Sequence, residues 1–126
     1  MNLILAIALG GAIGAVARFQ SIGLLSRWLG SGFPYGTLCV NVFGSFVLGL
    51  FVEFLVTKLN SNPEVRAFFA IGVLGAFTTF SSFAFDVSVL SDRGNLLAAG
   101  AYVSVSVVLS IAGLFFGLWL MRSFLA

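Results

Sequence analysis

Charge is what this sequence has least of. Its 126 residues include six Lys or Arg and four Asp or Glu, 8% in all, against roughly 25% in a typical soluble domain. So few ionic groups cannot cover a globule in water. Histidine is absent, which removes the usual general base near neutral pH and the commonest metal ligand. Cysteine occurs once, as Cys39, so there is neither an intrachain disulfide nor a cysteine-cluster zinc site. A net charge of +2, thinly spread, leaves no basic patch for nucleic acid. Histidine-based catalysis, disulfide scaffolds and nucleic-acid binding are all disfavoured.

Apolar residues take up the rest: 60% of the chain is hydrophobic, with 15 Phe and 15 Gly. A helix crossing a membrane needs about 20 mostly apolar residues. Four stretches qualify, at about 3–25, 35–57, 67–90 and 96–120. The first holds Arg18; the second holds Asn41 and Glu53; the third contains GAFTTFSS. Together they predict a single all-α membrane domain over 1–126. SGFP at 31–34, NSNPE at 60–64 and SDRGN at 91–95 supply turn chemistry between the spans. These loops are too short to house an enzyme. The first stretch has no Lys or Arg ahead of it and outruns a signal-peptide core, so it reads as a retained helix. Gly10 with Gly14, and Gly113 with Gly117, have the small-xxx-small spacing that either lets helices approach closely or is merely tolerated in lipid.

Four spans place Lys58, Arg66 and Arg122 on one side of the membrane. Arg27 and Arg93 fall on the other, joined by Arg18 if a water-filled vestibule reaches it. Orientation follows an imbalance of Lys and Arg, and here there is almost none. One reading is a single orientation fixed by other means. The other is dual topology, with copies inserted both ways and paired as an antiparallel homodimer, which suits a chain too small to enclose a pathway alone.

Polar groups at membrane depth are costly and tend to mark pathways. Gly75, Thr78, Thr79, Ser81 and Ser82 weaken the third helix, and non-helical backbone survives in lipid only when buried or lining a cavity. Freed carbonyls there could hold a cation. Alternatively, the hydroxyls bond back to their own helix. Tyr102, Ser106 and Ser110 recur every four residues and share one helix face, as a donor track or as interhelical glue. Asn41 extends that track if it faces it. Phe77, Phe80 and Phe83 are spaced by three; such stripes usually pack, yet phenyl rings have positive edges that suit an anion. No ring of intramembrane acids argues for a cation pore. Arg18 would draw anions to a mouth. The residues therefore point to a narrow pathway for a small anion.

GAFTTFSSF at 75–83 resembles the signature of the Fluc (CrcB) family of fluoride ion channels. So do GGAIGAVAR ending at Arg18, YGTLCVNVFGS with Asn41, and the Tyr102, Ser106, Ser110 series. The resemblance covers all four spans. It implies a passive fluoride channel, not an enzyme, that protects a bacterial cell from fluoride in its inner membrane. It further implies an antiparallel dual-topology homodimer embedded in lipid. On this resemblance Phe80 and Phe83 present ring edges to fluoride and Asn41 donates in the pore. Thr79, Ser81, Ser82, Tyr102, Ser106 and Ser110 complete the pathway, and Arg18 stands at the vestibule. Backbone carbonyls of Gly75 and Thr78 would hold a structural sodium ion at the dimer centre.

The chain departs from the commoner pattern at Ala76, where a second Gly is frequent, at Ser82, where Thr is common, and at Leu114, where a hydroxyl is expected. The contrasting reading is a small proton-coupled four-span exporter of the multidrug type, which needs a buried Glu in its first span. This first span has no acid. Glu53 and Asp86 read instead as interfacial or helix-pairing groups. A non-transporting assembly subunit is the third alternative.

Overall fold

The computed structural model describes residues 2–58 and 62–126. Helix α1 (Leu3–Leu29) starts at Asn2, whose Oδ1 accepts from the backbone N–H groups of Ile4 (2.6 Å) and Leu5 (3.3 Å). This cap satisfies donors that the first turn leaves without partners. Gly30, at φ 88°, ends the helix, a conformation that costs glycine little. Helix α2 spans Tyr35–Thr57 after Pro34. The third span, Pro63–Asp92, is composite. It opens as α3 (Pro63–Arg66), capped by Asn62 with Pro63 in the first turn, and widens to a π-helix over Ala67–Leu74. It returns to α-helix as α4 (Gly75–Phe77), breaks, and resumes as α5 (Phe80–Asp92). Gly94, at φ 75°, turns the chain into α6 (Leu96–Leu125), where Asn95 caps the N–H of Ala98.

All four expected spans are present as helices long and apolar enough to cross a membrane. The outer helices run further than expected, to Leu29 and Leu125, and the third span reaches Pro63 and Asp92. The turn expected at 60–64 lies partly outside the described residues, since 59–61 are not described. In SDRGN, Ser91 and Asp92 still belong to α5, and only the residues after them turn.

Two glycine seams hold the bundle. A Cβ on Gly10 would collide with the Phe68 carbonyl oxygen, and one on Gly14 with that of Val73. Gly72 is equally tight, its Cβ position 2.9 Å from the Gly10 Cα. Helix α1 thus lies backbone to backbone along the π-helix. On the opposite side, Gly49 meets the Leu114 carbonyl and Gly117 meets that of Phe46, which seals α2 against α6. The small-xxx-small pairs are therefore packing seams rather than tolerated glycines, as expected where van der Waals contact drives helix association. Phe46 stacks on Phe116 (5.6 Å) and Phe51 on Phe69 (5.3 Å) beside these seams. Glu53 accepts from both Arg122 Nε (3.3 Å) and Nη2 (3.0 Å), pairing the ends of α2 and α6. Many large apolar side chains, Phe19, Trp28, Phe80, Leu97 and Phe124 among them, point outward. That inversion of the soluble pattern suits an apolar solvent.

Candidate functional site

The break in the third span is made by two extended residues, Thr78 (φ −81°, ψ 157°) and Thr79 (φ −151°, ψ 121°). Gly75 is not part of it: its backbone is helical (φ −63°, ψ −35°) and its N–H closes onto Ala70 across the π-turn. The Thr78 hydroxyl does bond back to the Leu74 carbonyl (3.0 Å), yet the helix does not continue. What holds the break open is Asn41 on α2. Its Nδ2 donates to the Thr79 carbonyl (3.0 Å), and the Thr79 N–H donates to Asn41 Oδ1 (2.7 Å). This reciprocal pair replaces the ladder bonds that the extended residue gives up, and so removes most of the cost of irregular backbone at membrane depth. It also fixes the amide orientation, because only Nδ2 can donate and only Oδ1 can accept. One Nδ2 hydrogen remains for another partner.

Helix α5 restarts at this point. Thr79 caps it, its Oγ1 accepting from the Ser82 N–H (3.1 Å), with Ser81 Oγ 3.3 Å away. A helix N-terminus carries the positive end of the macrodipole and N–H groups without helical partners. It therefore opens a donor-rich surface beside the break.

A groove of about 230 Å³ lies there, lined by Asn41, Ser45, Thr78, Thr79, Phe80, Phe83, Ser106 and Ser110. It brings together six residues of the expected pathway, Asn41, Thr79, Phe80, Phe83, Ser106 and Ser110. No titratable side chain lines it. The Ser106 hydroxyl is buried, in a residue 5% exposed, and has no hydrogen-bond partner. Interhelical glue would require one; Ser106 instead holds a free donor at the groove. The Phe80 and Phe83 ring centroids are 5.4 Å apart with planes inclined at 52°. Phe83 is 7% exposed, whereas Phe80 is 77% exposed and stands at the open side.

The other expected residues lie elsewhere. Tyr102 is fully buried behind Phe83 (centroids 5.1 Å) and edge-on to Phe33 (5.5 Å). Its hydroxyl donates to Asp86 Oδ2 (2.9 Å), so Asp86 pairs α5 with α6, as Glu53 pairs α2 with α6. Ser81 and Ser82 line a separate cavity of about 350 Å³ with Thr37, Phe85 and Asp86. Ser82 also borders a cavity of about 430 Å³ lined by Arg18, Gln20 and Arg27. Sequence reasoning missed Ser45, although it stands four residues after Asn41 and thus on the same helix face. It also missed the π-helix, whose bonding uses backbone atoms alone and leaves no mark in residue identity.

Four apolar spans, the third of them broken, and an uncharged polar groove define a small polytopic α-helical membrane protein. The chain belongs to the family described as CrcB-like protein, Camphor Resistance (CrcB), whose model matches residues 5–118. It is 49% identical over 126 residues to a protein of Rhodospirillum centenum (strain ATCC 51521 / SW), covering 100% of both chains. It is 52% identical over 125 residues to one from Chelativorans sp. (strain BNC1), covering 99% of this chain and 100% of the other. A third relative, from Rhizobium etli (strain ATCC 51251 / DSM 11541 / JCM 21823 / NBRC 15573 / CFN 42), is 46% identical over 119 residues, covering 94% of this chain and 95% of its own. Each of the three is named fluoride-specific ion channel FluC. With bacterial relatives of full length and four spanning helices, the chain is a multi-pass protein of the bacterial cell membrane.

Proposed function

We propose that this protein is a passive, fluoride-selective ion channel and not an enzyme, and that it lets fluoride leave the cell down its electrochemical gradient. The observation that carries the reading is the buried, partnerless Ser106 hydroxyl in a groove of uncharged donors. A pore must replace part of an ion's hydration shell without holding the ion too tightly. Hydroxyls, the remaining amide hydrogen of Asn41 and phenyl ring edges are donors of moderate strength, and no fixed charge traps the anion. Fluoride, the smallest halide and a strong hydrogen-bond acceptor, suits such donors best. Relatives that match the whole chain and bear the fluoride-channel name support the same reading.

In this reading fluoride enters from the vestibule of Arg18 and meets Ser82, Ser81 and Thr79 at the start of α5. It passes the edges of Phe83 and Phe80 and continues along Asn41, Ser106 and Ser110. Tyr102 acts through Phe83, because its own proton is committed to Asp86.

Two copies inserted in opposite senses form the assembly. The near-even split of Lys and Arg favours it, and so does the groove's exposed Phe80 side, which a second copy would cover. The expected sodium ion fits the donor chemistry. Gly75 is exposed and Thr78 half-buried, and their carbonyls stand at the C-terminal, negative end of the first half of the third span. Hard oxygen donors of this kind suit an alkali cation. Bound there, sodium would neutralise facing helix ends and tie the two copies together.

Proteoliposomes loaded with potassium fluoride, clamped with valinomycin and without a pH gradient, test the function. Fluoride efflux within seconds, read by an electrode, is expected. Efflux that requires a proton gradient would move the protein to the exporter class, and silence would leave an assembly subunit.

A further inference from the structure

The i, i+4 series on α6 runs Tyr102, Ser106, Ser110 and then Leu114. An isobutyl group thus stands where the next hydroxyl would be, and the donor line ends early on its own helix. Across the groove, α2 contributes Ser45. Among the described residues no hydrogen bond engages its hydroxyl, not even the bond to the carbonyl four residues back that helical serines often make.

Its level along the pathway follows from its neighbours. A Cβ on Gly113 would lie 3.2 Å from the Val42 carbonyl oxygen and 3.7 Å from the Phe46 N. The turn of α2 that holds Ser45 therefore faces α6 between Ser110 and Leu114. One turn further the helices close. The Gly49 Cβ position is 2.9 Å from the Leu118 N, and that of Gly117 is 3.0 Å from the Leu50 N. Ser45 is thus the last hydroxyl before the α2–α6 seam, with Asn41 one turn behind it on the same face.

We infer that Ser45 contacts the permeating anion and takes over from Ser110, replacing the hydroxyl that the α6 series lacks at Leu114. The donor line crosses from α6 to α2 at this point. This rests on the fluoride-conduction reading, so wild-type efflux is measured beside every variant.

The test compares fluoride efflux from proteoliposomes holding wild type, Ser45→Ala, Ser45→Cys, Ser45→Thr, or Ser45→Ala with Leu114→Ser. Loss of one hydrogen bond to the ion is expected to slow efflux about tenfold in Ser45→Ala. Ser45→Cys, close in size but a weak donor, is expected to show a similar loss, which separates donation from packing. Ser45→Thr is expected to remain within about twofold of wild type, since it keeps the hydroxyl, and Leu114→Ser to restore flow to Ser45→Ala. A conducting wild type matched by Ser45→Ala and Ser45→Cys overturns the inference while the channel reading stands. So does a Ser45→Thr variant as slow as Ser45→Ala. A silent wild type removes the channel reading, and Ser45 with it.

Discussion

At the scale of single residues, the groove is lined by neutral donors, of which the Ser106 hydroxyl is unsatisfied. Burying a hydroxyl without a partner costs on the order of 1–3 kcal/mol, and Ser106 bears that cost here. An anion that accepts from Ser106 recovers it, so the cost of stripping water from the ion is offset in place. In the proposed pathway Phe83 and Phe80 would extend the line with ring edges, which no aliphatic side chain can imitate. We therefore expect Phe80→Ile or Phe83→Ile to abolish fluoride efflux while the protein still purifies intact, as measured by electrode and gel filtration. Normal efflux in both would remove the ring-edge role. A place in the groove was readable from spacing for Ser106 and Ser110, while for Asn41, on another helix, it depended on which way the side chain faces. It was not readable for Tyr102, which shares the Ser106 face but is cut off by the Phe83 ring and bonded to Asp86. Periodicity gives the face of a helix; it does not give what stands between that face and the cavity.

At the scale of elements, the decisive feature is the third span. Its residues allowed either a break near the Thr-rich stretch, with Gly75 as part of it, or an unbroken helix whose hydroxyls bond back to their own carbonyls. The structure sets it instead at Thr78 and Thr79, because Asn41, 38 residues from Thr79 in sequence, supplies the backbone partners. No local pattern encodes that pairing. The π-helix upstream winds against α1, where Gly10 and Gly14 allow backbone contact. This contact helps to set where the chain arrives at the break, since the Gly14 Cβ position is already 3.1 Å from the Phe77 N. Gly14→Val should accordingly displace α4, lower thermal stability and cut fluoride efflux at least tenfold, because the obstructing atoms are backbone and cannot swing aside. Gly11→Ala, in open space on the same helix, should leave both within about 0.5 kcal/mol of wild type. Comparing melting curves and efflux for the pair checks this; equal behaviour would show that the seam does not position the break.

At the scale of the whole molecule, the shortage of charge did most of the work in the sequence: it identified a membrane protein, and the spans followed within a few residues at most ends. The distribution of that charge bears on assembly. With Lys and Arg nearly balanced across the bilayer, either orientation would be accessible in the proposed assembly, and two opposed copies would place two grooves around one axis in the membrane plane. Variants with added Lys at one end should therefore protect fluoride-stressed cells only when co-expressed with an oppositely biased partner. Protection by one biased form alone would contradict dual topology. The central claim, that this bundle passes fluoride itself and no other common anion, is tested most directly by its reversal potential. In a planar bilayer with a tenfold fluoride gradient, equal chloride on both sides and equal pH, the account predicts reversal at about 59 mV, the value for a single monovalent carrier. Reversal near zero would show that chloride carries the current, and would contradict the claim.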